Sequence, residues 1–458
     1  MHMRFARFKS TFAFLLSVAA LSGIVLAQAA PDPSVGTRVD EYMNALLSVQ
    51  GIGGSVLVAR DGKVIYQRGY GLADREQKRP NDPALRYRIG SLTKQFTAAG
   101  ILMLQEKAKL KVTDPACKYI DNCPETWKAI TIHQLLTHTG GVPNFTALPE
   151  WRTKKGEDLS TRQVVDLVRD QPLQFGPGTD FEYSNTGYVL LGLIIEEVSG
   201  KTYAEFMREN VFAPLGMKDT GYDDGKQTGN NVALGYSKRG PDIVAADAIN
   251  MKAPFSAGAL YSTAGDMLRW SESLSSPKLL SQASLTAMFS PEKRNYAYGW
   301  AIGSRNGRVV QNHTGGIDGF SSYIARYPNE KVTVIVLLNT GGANIGPIGN
   351  DISSIIFGEK YELPKARVEV AVDAKILDAY AGSYQVAPGL VFVIARTPTG
   401  LAFQPSGQPR AVEMFAESDT KFFLKVVDAQ ITFIKDADGK ITGLEFQQAG
   451  RTTKAARM

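Results

Sequence analysis

A chain of 458 residues with 44% hydrophobic and 21% charged side chains can bury one large core and a smaller companion, which excludes a disordered or fibrous protein. The formal charge of +6 includes Arg4, Arg7 and Lys9 of an N-terminal leader, and the remaining charge of about +3 is spread too thinly for a nucleic-acid partner.

That leader has three basic residues, an apolar run from Phe12 to Leu26, and Ala27-Gln28-Ala29, where small residues flank a larger one. The pattern predicts a signal peptide over 1–29, hence export to the periplasm or medium. The apolar run is shorter than the roughly 20 residues of a spanning helix, and no later stretch predicts an integral membrane segment. An oxidising destination favours a disulfide between Cys117 and Cys123, the only cysteines. His133, His138 and His313 have no ligand spacing with each other or with the cysteines, so neither a metal nor another cofactor is expected.

Val39, Tyr42, Met43, Leu46 and Leu47 recur at helical intervals, and Ser55–Ala59 with Val64–Tyr66 reads as a hairpin turning at Asp61-Gly62. Ser91-Leu92-Thr93-Lys94 then leads into a helix carrying Phe96, Ala99, Gly100 and Met103, which puts Ser91 at a helix N-terminus. From about Asp114 to Ser290 the pattern is helical and rich in turns. Strand signals return at Ala297–Ile302, Arg308–His313, Gly319–Tyr327 and Val332–Leu338, an antiparallel meander. The fold class is α/β, with one antiparallel sheet assembled from both ends of residues 30–364 and a helical lobe inserted between them. Residues 365–458 change to short β-rich runs such as Leu390–Ala395, Phe422–Val427 and Ile431–Ile434, and predict a small all-β domain.

Three short motifs carry chemistry. Ser91 and Lys94 share a helix face, so an amine can take the hydroxyl's proton, while the backbone N–H of Ser91 faces a developing oxyanion. Ser275, Ser290 and Ser418 each have a lysine at the same spacing but lack the following helix. Tyr183-Ser184-Asn185 offers a phenol to exchange protons with Lys94 and a carboxamide for a substrate carbonyl. His313-Thr314-Gly315-Gly316 closes a strand, where glycine admits a substrate to the backbone and the Gly316 N–H supplies a second oxyanion donor. The twin His138-Thr139-Gly140-Gly141 follows a short helical run and reads as that helix's C-terminal stop.

The ordered set SLTK, YSN and HTGG, with the segments RIGSLTKQFTA, ITIHQLLTHTGGVP, FEYSNTGYVLLGLIIEEVSG and GALYSTAGDMLRW, resembles the class C beta-lactamases, D-alanyl-D-alanine carboxypeptidases and esterases of one serine-hydrolase family. The resemblance covers about Gly51 to Asn339. It implies a beta-lactamase/transpeptidase-like fold, with Ser91 as nucleophile and Lys94 and Tyr183 sharing the proton transfers. Asn185, His313, Thr314 and Gly315 would hold substrate, and the amides of Ser91 and Gly316 would form the oxyanion hole. The tail resembles the small β-barrel appended to many such hydrolases. Where most beta-lactamases of the family have Lys, this chain has His313, which weakens the grip on a substrate carboxylate. The expected substrates are therefore small esters or short peptides, including D-amino-acid peptides. A class C-like beta-lactamase acting on beta-lactam antibiotics is the alternative, and a non-catalytic penicillin-recognising sensor or binding module the reading of another kind.

Overall fold

The structure is a computed structural model describing residues 33–458 except 241, 388, 427, 428, 449 and 450. The leader therefore lies outside the described residues. The chain opens with α1 (Pro33–Gln50), followed by the hairpin β1 (Gly54–Arg60) and β2 (Lys63–Tyr70), which turns at Asp61-Gly62. After a long helical stretch come β3 (Ala301–Arg305), β4 (Arg308–Ile317), β5 (Phe320–Tyr327) and β6 (Val332–Leu338). All neighbours pair antiparallel in the order β3-β4-β5-β6-β1-β2, so the last strand of the meander lies against the first strand of the chain.

Why β6 reads as an unbroken apolar run follows from burial on both faces. Val334, Val336 and Leu338 share a core with Val56 and Val58 of β1, α1 and the later helix Ile345–Ile356. Ile335 and Leu337, pointing the other way, join Leu57 and the large core of the helical lobe. At the centre of that lobe is α2 (Thr93–Glu106), buried at every position from Thr93 to Leu104. Such a helix draws its stability from packing on all sides rather than from one apolar stripe. Phe96 stacks on Trp270 at 4.3 Å, and the Trp270 indole donates to Gln95 Oε1 at 2.9 Å.

The strand expected over Ala297–Ile302 begins later, at Ala301. Ala297–Trp300 alternates like a strand, but Gly299 takes φ +76° and turns the chain against α2. A Cβ there would lie 2.9 Å from the Gln95 backbone, so only glycine fits. The strand accordingly starts at Ala301.

Cys117 and Cys123 are joined in a disulfide. Residues 359–373 contain no helix or strand, and beyond a short helix, Ala374–Tyr380, eight antiparallel strands from Gly382 to Arg457 form a closed barrel. The barrel has its own core, including Phe392, Phe403, Phe422, Phe433 and Leu444. Closure leaves no unpaired strand edge.

Candidate functional site

Gly90–Leu92 forms a single 3-10 turn that runs into α2, placing Ser91 at the helix entrance, half-buried. The turn is held from both sides: Ile89 N–H donates to the Leu260 carbonyl, and the Ile89 carbonyl accepts from Ser322 Oγ at 2.7 Å. Gly315 on β4 stands directly across from this contact. A Cβ on Gly315 would sit 2.2 Å from both the Ile89 carbonyl oxygen and Ser322 Oγ. The missing side chain thus makes room for the nucleophile's own turn, not for substrate as expected from the sequence. At Gly316 nothing lies within 4 Å of a Cβ position, and it is this residue that leaves space at the strand's end.

Gly90, at φ +49°, abuts Gly316, whose backbone N is 2.9 Å from the Cβ position of Gly90. Gly90→Ala should therefore push the Ser91 turn away from Gly316. Displacing these amides by about 1 Å should lower kcat about 100-fold with the fold retained. Steady-state kinetics beside a circular dichroism spectrum check this, and an unchanged kcat would refute the coupling.

Lys94 is completely buried. Its Nζ lies 3.1 Å from Ser91 Oγ, 2.8 Å from Asn185 Oδ1 and 2.8 Å from the Ala257 carbonyl. Burial holds its pKa well below the ordinary lysine value. Nζ donates to all three oxygens, and because burial disfavours the ammonium, loss of one proton frees a lone pair toward the Ser91 hydroxyl.

Asn185 begins the helix Asn185–Ser199, α4 in order after the short α3 (Ile132–Leu136). Ser184 caps α4, its hydroxyl accepting from the Gly187 N–H, and the Asn185 amide nitrogen donates to Thr146 Oγ1 at 3.0 Å. Tyr183, just ahead of the cap, is half-buried, with its ring centroid 4.8 Å from Lys94 Nζ. Burial pushes its phenol well above the ordinary tyrosine pKa, and a hydrogen bond with Ser91 opposes that rise.

His313 is buried against this group, but both its nitrogens are occupied. Nδ1 donates to the Thr314 carbonyl at 2.6 Å, which leaves Nε2 to accept from the Tyr296 hydroxyl at 2.9 Å. Burial, followed by the charge of Lys94, lowers its pKa to about 4. The ring is neutral and has no free nitrogen for a substrate carboxylate, contrary to the sequence expectation. Thr314 is exposed and gives this site its carbonyl.

The other His-Thr-Gly-Gly copy ends in the same place. His138 does terminate α3, with a left-handed φ of +57° two residues past the last helical residue. Its ring, however, packs 4.3 Å from Tyr183, and its Nδ1 accepts the Ser184 N–H at 3.2 Å. Sequence reasoning missed this placement and Tyr296 altogether; the only signal for His138 was the repeated tetrapeptide. The decoy serines have other partners: Ser275 Oγ accepts from Arg326, Ser290 Oγ donates to the Thr286 carbonyl, and Ser418 Oγ accepts from the Lys421 N–H.

Two buried neutral imidazoles make stability depend on pH. The unfolded chain protonates His313 below about 6.5, whereas the folded chain resists until about 4. Stability present at neutral pH is thus lost as pH falls across that window, by roughly 3 kcal/mol at its acid end for His313. His138, also pushed well below its ordinary value, adds in the same direction. Urea unfolding between pH 7 and 4 should show this loss, and His313→Asn should flatten it; an equal slope in the variant would contradict it.

Among the described residues no cluster of His, Cys, Asp or Glu is suited to a metal, and no helix is long and apolar enough to cross a membrane.

A serine, a buried lysine and a tyrosine gathered where a helix meets a sheet edge define a serine hydrolase of the beta-lactamase fold. Residues 37–349 match the Beta-lactamase family, and the chain belongs to that family. Residues 366–456 match a domain of unknown function, DUF3471. A penicillin-binding protein of Bacillus subtilis is 30% identical over 84% of this chain and 90% of its own length. Among solved structures, a penicillin-binding protein from Bacillus halodurans is 28% identical with a TM-score of 0.61, covering 69% of this chain and 98% of its own. A D-stereospecific amidohydrolase from Streptomyces is 25% identical with a TM-score of 0.58, covering 68% and 95%.

Proposed function

We propose that the protein is an exported hydrolase that forms an acyl-enzyme on Ser91 and acts on small esters or short peptides, D-amino-acid peptides included. The observation that carries this reading is Lys94, buried with no carboxylate among its hydrogen-bond partners and with its amine against the Ser91 hydroxyl. In acylation Lys94 takes the Ser91 proton as Oγ attacks the substrate carbonyl carbon. The N–H groups of Ser91 and Gly316 stabilise the oxyanion. Tyr183, its ring 4.8 Å from Lys94 Nζ, relays the proton held by Lys94 to the leaving group by giving its own and taking that one in return, and water then hydrolyses the ester on Ser91.

The neutral, fully hydrogen-bonded His313 supports ester and amide substrates over beta-lactams, whose carboxylate meets no cation at this position. The D-stereospecific amidohydrolase among the similar structures supports the D-peptide part of the reading. The test is a comparison of kcat/KM for an activated acetate ester, a D-alanyl dipeptide, a penicillin and a cephalosporin. Faster turnover of the ester or dipeptide is expected. A large preference for the cephalosporin would overturn this reading in favour of a beta-lactamase.

A further inference from the structure

We propose that Tyr296 is a specificity-determining positioning residue: its hydroxyl occupies Nε2 of His313 and closes the third motif to substrate carboxylates. The inference rests on the acyl-enzyme reading above and adds the residue that sets its substrate charge. With Nδ1 held by the Thr314 carbonyl, Nε2 is the only ring nitrogen left to face a ligand, and Tyr296 covers it at 2.9 Å. Tyr296 is itself buried and packs 4.7 Å from His138 and 6.2 Å from Tyr183.

The loop is built to hold that hydroxyl in place. Directly before Tyr296, Arg294 and Asn295 are both left-handed at φ +51° and +58°, and for Arg294, unlike asparagine, that conformation is kept only when the surroundings enforce it. Behind them Glu292 N–H donates to the Tyr296 carbonyl at 2.9 Å. Ahead, the Tyr298 hydroxyl bonds His133 Nδ1 at 2.7 Å, and Gly299 is wedged against α2. The tyrosine is thus fixed to the same helix that carries Lys94.

Removing the hydroxyl exposes the Nε2 lone pair, which can then take a proton and pair with a carboxylate. The groups facing His313 are Lys94 from α2, His138 from the end of α3, Tyr183 from the approach to α4 and Tyr296 itself; on β5 its register partner is Ile324. Burial and Lys94 oppose the proton, so the effect should emerge only toward acid pH.

The experiment uses the full chain, wild type and Tyr296→Phe, with a matched pair of aryl esters, one bearing a free carboxylate and the other the corresponding carboxamide. In the wild type the carboxylate-to-carboxamide ratio of kcat/KM should stay flat between pH 5.5 and 8. In the variant it should rise at least about threefold toward pH 5.5, tenfold being about 1.4 kcal/mol of transition-state stabilisation. Nitrogen-15 NMR of histidine-labelled wild type should show Nε2 of His313 unprotonated across that range. A ratio in Tyr296→Phe that matches the wild type at every pH overturns the proposal, as does a protonated Nε2 in the wild type. Failure of the acyl-enzyme reading is recognised separately, by wild-type protein that an acylating probe does not label at Ser91.

Discussion

Ser91→Ala should abolish covalent labelling by a fluorophosphonate or a fluorescent penicillin and lower turnover by about 10⁴-fold or more, because this hydroxyl carries all the covalent chemistry. The substitution removes one oxygen from the half-buried entrance of α2 and leaves the contacts of Ile89 and Gly315 intact, so the fold should survive. Ser418→Ala is the matched control: that hydroxyl accepts backbone N–H groups in the barrel and should change neither labelling nor rate. Mass spectrometry of the labelled protein, alongside kinetics of both variants, checks the pair. Activity retained by Ser91→Ala on any hydrolysed substrate would remove the basis of the mechanism.

Lys94→Ala and Tyr183→Phe should each lower kcat by about 10² to 10⁴-fold, the usual range for a lost proton-transfer group. The double variant should be little worse than the poorer single one, since groups acting as a unit lose their joint contribution together. Lys94 Nζ lies 3.1 Å from Ser91 Oγ and 4.8 Å from the Tyr183 ring centroid, close enough for one proton to serve all three. Losses that multiply in full would show that one residue is structural. In the wild type, kcat/KM should rise with pH as Lys94 loses its proton. That limb should lie well below the ordinary lysine value, because burial disfavours the ammonium.

Local pattern makes much of this legible in the sequence. Asp61-Gly62 and Asn306-Gly307 mark their hairpins because only residues tolerant of positive φ complete such turns, and all four are left-handed. Ser91 and Lys94 needed only helical spacing, and Tyr183 and Asn185 sit beside a helix cap that Ser184 announces. What escaped is tertiary. No periodicity places the His138 ring on Tyr183, although its role as the end of α3 was readable from Gly140 and Gly141. That Nε2 of His313 is already occupied depends on Tyr296, seventeen residues earlier and on the far side of β3. Tyr-Ala-Tyr-Gly-Trp over 296–300 has the alternation of a strand, and only the approach of α2 turns it into a wedge.

The pairing of β1 with β6 also orders the birth of the molecule. Gly54 stands opposite Leu338 and Arg60 opposite Val332, so β1 waits for about 270 further residues before its neighbour exists. At the 5–20 residues per second of synthesis, that is roughly 14 to 54 seconds with the apolar strand Val56-Leu57-Val58 open on one edge. Contacts this distant in sequence make folding slow. The nucleophile's helix thus gains its second wall only when the final strands arrive.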